Sequence, residues 1–179
     1  LDSFESGSVS AVNPIFKNDD IEGLAADPRK PGVLYVLSQE SGLQELNVHT
    51  SEIRDLIPMP ENVFPTQLRY HDGSLWVTSS LGLYVYDLAK GTYSRYLRDN
   101  GDRYSLSDSY TTCMMHSDGG KSIWVGTFGG GINVYGAIFG HFKKYYRLAD
   151  GSGLEGSNVR CFAEDYKGQL WLGTENSGL

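Results

Sequence analysis

The chain has 179 residues, with 15 Lys and Arg against 22 Asp and Glu, for a net charge of −7. A hydrophobic fraction of 40% with 21% charged residues describes a globular chain, not a disordered one, and the net acidity argues against a nucleic-acid partner. No apolar run approaches the ~20 residues that span a bilayer, so no membrane contact is expected of this segment, and two cysteines without CxxC or Cys/His spacing point to no metal site.

Residues 1–20 form an N-terminal segment. The chain begins at Leu1 and reads as a mature or excised piece. Within the segment, SVSAVNPIF has the character of an outer strand that completes a blade. The alternative is that two copies pair their open blade faces into a homo-oligomer.

From residue 21 onward a repeat dominates. Four segments align: VLYVLSQESGLQELN from Val33, SLWVTSSLGLYVYD from Ser74, SIWVGTFGGGINVYG from Ser122 and QLWLGTENSGL from Gln169. Their aromatic anchors are Tyr35, Trp76, Trp124 and Trp171, spaced by 41, 48 and 47 residues. A period of about 40–50 residues is that of a four-stranded propeller blade. The local period is two, not 3.6, which excludes helical repeats. Twelve tyrosines and 22 glycines suit strands joined by tight turns.

In chain order, the repeat at about 21–60 predicts strands at 21–26, 33–38, 42–47 and 52–57. The repeat at 61–108 predicts strands at 66–71, 74–79, 82–87 and 92–97. Asp72-Gly73 makes a tight hairpin and Lys90-Gly91 a second turn. The repeat at 109–156 predicts strands at 110–116, 122–127, 131–135 and 141–146. A partial repeat at 157–179 predicts 158–164 and 169–174. The fold class is all-β, a β-propeller fragment of four-stranded antiparallel blades.

Large rings at the anchor positions fill the wedge between twisted sheets that cannot bury both faces alone. Aligning the innermost strands brings Leu24, Leu68, Cys113 and Cys161 to one position, where cysteine serves as a small apolar residue. Gly129-Gly130-Gly131 leads into a strand, not a helix, so it lacks the geometry of a phosphate loop. Positive φ and close approach of neighbouring blades account for it. Asn18-Asp19-Asp20 and Asp118-Gly119 lack the ligand spacing of a calcium loop. Lys143-Lys144 reads as an outer edge that discourages strand pairing. His71 and His116 are placed at matching ends of innermost strands, near the central channel. No nucleophile sits in a recognisable setting, so no catalytic residue and no cofactor is assigned.

The third and fourth repeats are specific. SNVRCFAEDYKGQLWLGTENSGL at 157–179, with SIWVGTFGGGINVYG and FKKYYRLADGSGLEGSN before it, resembles the two-component regulator propeller repeat. The matching residues are Asn158, Val159, Asp165, Gly168, Trp124 to Thr127, Gly130 to Ile132, Tyr135, Phe142 and Tyr145. The resemblance covers the chain from about Thr66. The first repeat has Tyr35 in place of tryptophan and a more generic phrase. The resemblance implies a periplasmic sensor portion of a hybrid two-component histidine kinase anchored in the inner membrane. Many members of that family detect oligosaccharides, and the other blades and domains of such a parent would be partners of this segment.

Loops between blades and loops joining second and third strands share one face of a propeller, where closed architectures bind ligands. That assigns candidate ligand-binding roles to Glu40, Arg103, Tyr104, Tyr110, Phe128, Glu175 and Asn176. Two readings compete with an oligosaccharide sensor. One is a protein-interaction scaffold. The other is a propeller lyase or lactonase, which would need an acid/base or metal set around the channel.

Overall fold

The computed structural model describes residues 16, 19–117, 121–136 and 140–178. Apart from Phe16, the SVSAVNPIF segment lies outside the described residues, as does Asp118-Gly119.

The chain forms three four-stranded antiparallel sheets and one two-stranded sheet. The first blade is β1 (Ile21–Ala26), β2 (Val33–Ser38), β3 (Gly42–Asn47) and β4 (Ile53–Ile57). The second is β5 (Pro65–His71), β6 (Ser74–Ser79), β7 (Gly82–Asp87) and β8 (Thr92–Tyr96). The third is β9 (Thr111–Ser117), β10 (Ser122–Thr127), β11 (Ile132–Gly136) and β12 (Phe142–Tyr145). The fourth contributes β13 (Val159–Glu164) and β14 (Leu170–Thr174). Each strand begins and ends within one residue of its expected bounds. Within each sheet the strands pair in sequence order. Consecutive first strands pack together, β1 with β5, β5 with β9 and β9 with β13. The sheets therefore fan out from a line of innermost strands, the radial arrangement of propeller blades.

Turn chemistry sets the hairpins. Asp72 and Gly73 have φ of 40° and 78°, and a two-residue turn with both central residues left-handed matches the twist of the flanking strands. At the turn after β7, Asp87 accepts hydrogen bonds from the amides of Ala89 (2.9 Å) and Lys90 (3.0 Å), an Asx turn.

The cores lie between blades. Tyr35, Leu37, Leu43 and Ile57 of the first blade pack against Leu68, Leu75, Val77 and Tyr84 of the second. Trp76 and Leu83 of the second pack against Met114, Ile123, Val125 and Phe142 of the third. A smaller cluster joins Cys113 and Ile132 to Val159, with Trp124, Phe162 and Leu172 against it. Each fully buried aliphatic side chain contributes roughly 1.5–3 kcal/mol. The anchors thus lie at blade interfaces, except that Trp171 is 49% exposed.

The register corrects one expectation. In every blade the pairing of the two innermost strands shifts by a residue, between Ile21 and Gly23, Pro65 and Gln67, Thr111 and Cys113, and Val159 and Cys161. Cys113 faces Gly126 and Cys161 faces Gly173, whereas Leu24 faces Val36 and Leu68 faces Val77. The cysteines are therefore equivalent to Gly23 and Gln67. Leu24 and Leu68 are equivalent to Met114 and Phe162. An innermost strand is covered on both sides, so its sequence does not alternate and leaves a one-residue slip unmarked.

Both cysteines are free. Cys113 is buried, and burial pushes its thiol up to about 11, so it behaves as an inert apolar residue.

Candidate functional site

One backbone hydrogen bond recurs in all four blades. The residue after the second strand donates to the residue before the first: Gln39 to Asp20 (3.0 Å), Ser80 to Phe64 (2.8 Å), Phe128 to Tyr110 (2.9 Å) and Glu175 to Asn158 (2.9 Å). This bond gathers the two kinds of loop on one face, beside the innermost strands. Phe64, Tyr110 and Phe128 are exposed there.

Three predicted residues converge at this rim. The rings of Tyr110 and Phe128 lie 5.3 Å apart at 32°. The Arg160 guanidinium sits 5.7 Å from the Phe128 ring and forms a 2.7 Å ion pair with Glu175. Asn158 Nδ2 donates to the same carboxylate oxygen at 3.2 Å. These bonds, that from Arg160 foremost, hold the Glu175 carboxyl below its ordinary range. Asn176 occupies the adjoining turn with φ of 70°.

The other predicted residues lie elsewhere. Glu40 is in the first blade, where its carboxylate accepts from the amide of Asp20 at 3.1 Å and its own amide donates to Asp19 at 3.2 Å. Arg103 stacks over the Tyr104 ring at 4.9 Å. Tyr104 packs on His141 at 4.3 Å, beside the outermost strand of the third blade.

Between the rim and that outer edge lies a pocket of about 400 Å³. Its walls are the connection between the second and third blades, the glycines after β10, and the connection between the third and fourth blades. Arg103 lines it, together with Arg98, Lys144 and Arg147, which were not among the expected site residues. Asp108 and Ser157 line it as well, and each is within two residues of the rim, next to Tyr110 and Asn158. Gly129, which lines the pocket, directly follows Phe128, so the pocket adjoins the aromatic pair in the chain.

The local sequence builds this pocket. Asn133, fully buried at the start of β11, accepts from the Ser107 amide and donates to the Ser107 hydroxyl, both at 2.8 Å. A Cβ on Gly130 would meet Ser107 Oγ at 2.6 Å and Asp108 Cβ at 2.9 Å. Gly129 and Gly131 have φ of 109° and 75°. The triple glycine thus lets the interblade connection approach the loop after β10, a close approach as expected. Asp99, Asp102 and Asp108 each accept a 2.8 Å bond from the amide two residues on, those of Gly101, Tyr104 and Tyr110.

On the opposite side of the blades, His71 and His116 stack at 4.1 Å and 28°. They are not matching positions, another correction. His71 pairs with Ser74 as Ser117 pairs with Ser122, while His116 pairs with Ile123 as Tyr70 pairs with Leu75. Unequal turn lengths after β5 and β9 conceal the one-residue offset. His116 also meets Trp76 edge-on at 6.4 Å, and burial drives its imidazole down to about 4. It is therefore neutral at ordinary pH and packs as an aromatic ring.

Residues 153–176 match the family model of the two component regulator propeller. No curated protein matches the chain. Among solved structures, the chain is similar to the extracellular domain of the putative hybrid two component system BT3049 from B. thetaiotaomicron, at 19% identity and a TM-score of 0.62. That likeness covers 89% of this chain and 28% of the other. The extracellular domain of BT4673, a putative hybrid two component system of the same organism, gives 16% identity and a TM-score of 0.60, over 88% of this chain and 20% of the other. The computationally designed Ika4 protein gives 16% identity and a TM-score of 0.55, over 88% of this chain and 92% of that one. At these identities the likeness is one of fold. The chain spans less than a third of the two extracellular domains.

Proposed function

We propose that this chain, which carries a two-component regulator propeller repeat at residues 153–176, is part of the extracytoplasmic sensor domain of a hybrid two-component histidine kinase. In this reading the sensor is periplasmic and anchored in the inner membrane, and the chain binds an oligosaccharide without transforming it. The observation that carries the reading is the rim at the third and fourth blades. There the Tyr110–Phe128 pair offers an exposed aromatic surface beside the Arg160–Glu175 ion pair. Aromatic faces stack on the apolar faces of sugar rings, and fixed polar groups read their hydroxyls. Such a site binds, and signalling would follow from differential affinity for two packings of the parent domains.

A thermal-shift screen of the 179-residue chain against a panel of neutral and acidic oligosaccharides tests the reading. A ligand at a hundred times its Kd stabilises the folded state by about 2.7 kcal/mol, which raises Tm by roughly 5–11 °C in a chain of this size. Phe128→Ala is expected to abolish the shift and leave the unliganded Tm nearly unchanged. A panel in which no glycan moves Tm sinks the proposal.

A further inference from the structure

The pocket beside the rim has a charge pattern that a neutral sugar does not require. Four cationic side chains line it: Arg98, Arg103, Lys144 and Arg147. Among the described residues, none of the four makes an ion pair. Elsewhere Arg29, Lys30, Arg54, Lys90 and Arg160 each have a carboxylate partner, while Arg69, Arg95, Lys121 and Lys167 have none among the described residues but are scattered and line no common cavity with these four. In a chain of net charge −7, the four cations outnumber the three carboxylates of the same walls, Asp99, Asp102 and Asp108, so the lining of this one concavity is net positive by one, opposite in sign to the molecule.

Carboxylates are present in the same walls, so their failure to pair needs a cause. Asp99, Asp102 and Asp108 are each turned back onto their own loop by a 2.8 Å bond from a backbone amide. The cations are held in other ways. Arg98 Nε donates to Asn100 Oδ1 at 3.1 Å. Arg147 donates one Nη to the Glu155 carbonyl at 3.2 Å. Arg103 rests on Tyr104. Each arginine keeps further N–H groups for a ligand, and the planar guanidinium matches the paired oxygens of a carboxylate or sulfate. The volume of about 400 Å³ falls within the roughly 300–1,000 Å³ of small-molecule sites.

We propose that this pocket, between the Arg98–Ser107 connection and Lys144 and Arg147, binds the acidic group of a charged saccharide, a uronate carboxylate or a sugar sulfate. The inference rests on the oligosaccharide reading above and adds the ligand's charge class. The neutral part of the ligand lies on Tyr110 and Phe128, and its anionic group enters the pocket.

The test is calorimetric titration of the 179-residue chain with a heparin tetrasaccharide, tetragalacturonate and a panel of neutral tetrasaccharides, at 20 and 200 mM NaCl. At least one acidic tetrasaccharide is expected to bind, with affinity falling about tenfold or more at the higher salt, because interactions between exposed charges are screened. The double variant Arg103→Gln/Arg147→Gln is expected to weaken that binding at least tenfold with an unchanged Tm. Both changed side chains, Arg103 and Arg147, are exposed, and Lys144→Gln serves as a second variant if the double one fails to fold. Binding by neutral tetrasaccharides alone overturns the inference and leaves the oligosaccharide reading standing. Acidic binding that ignores both variants also overturns it. Absence of any binding removes both proposals together.

Discussion

Thr111 is fully buried and ties two blades together with one hydroxyl. Its Oγ1 accepts from the Ser79 amide at 2.9 Å and lies 3.1 Å from the Ser79 and Gly82 carbonyls, to which it can donate. The equivalent residues, Pro65 and Val159, precede the same register shift and carry no hydroxyl. Shape alone therefore does not demand threonine at this position. Thr111→Val keeps the volume and leaves the Ser79 amide without its acceptor. We expect it to cost about 1–3 kcal/mol in urea unfolding, the range for a stranded buried donor. Thr111→Ser keeps the hydroxyl, loses one methyl and is expected to cost about 0.8 kcal/mol. Equal losses in the two variants would refute the hydrogen-bond account. Nothing in the sequence announced this role. Nor did it announce Thr66 and Thr112, the extra residues of the bulges, whose hydroxyls donate to the Thr111 and Val159 carbonyls of the next blade. A bulge residue opposite no partner can turn toward a neighbouring sheet, and threonine in a strand otherwise reads as ordinary β-propensity.

At the scale of elements, strands were legible and connections were not. Each strand carries its own pattern of β-branched and aromatic residues bounded by turn chemistry, so its position follows from local sequence. The 97–110 connection shows only length and polarity, while its conformation depends on partners far along the chain. Asn133 is the clearest of these, 26 residues from Ser107 and bonded to it twice. The repeat places Glu40, Arg103, Tyr104, Tyr110, Phe128, Glu175 and Asn176 on loops that share a face. The division into an aromatic rim and a cationic pocket arises from how those loops dock, which sequence order does not encode. Asn133→Ala is expected to destabilise the chain by about 1–3 kcal/mol. It should also raise amide hydrogen exchange through residues 98–109 well above the global change, since a loop freed of its anchor opens locally. Exchange that rises uniformly across all blades would mean Asn133 supports the core and not the connection.

At the scale of the molecule, stability runs along the arc. A propeller buries its cores between neighbouring blades, so each interface is a nearest-neighbour term in a quasi-linear array. The same residue type at the same blade position then has a value set by its neighbour and not by its own sheet. Trp76 and Trp171 are such a pair. Trp76 is 8% exposed and packs on Tyr135 and His116 of the third blade. Trp171 is 49% exposed, and its indole N–H donates to Asp165 at 3.2 Å in its own hairpin. Trp76→Ala removes a ring from a closed interface and is expected to cost about 3–5 kcal/mol. Trp171→Ala removes one from an open face and is expected to cost less than about 1 kcal/mol in the 179-residue chain, within the range of partly exposed substitutions. Urea denaturation of the two variants measures the difference directly. Comparable losses would mean that the ring stabilises its own blade, and that the interblade wedge is not what the repeated aromatic anchor is for.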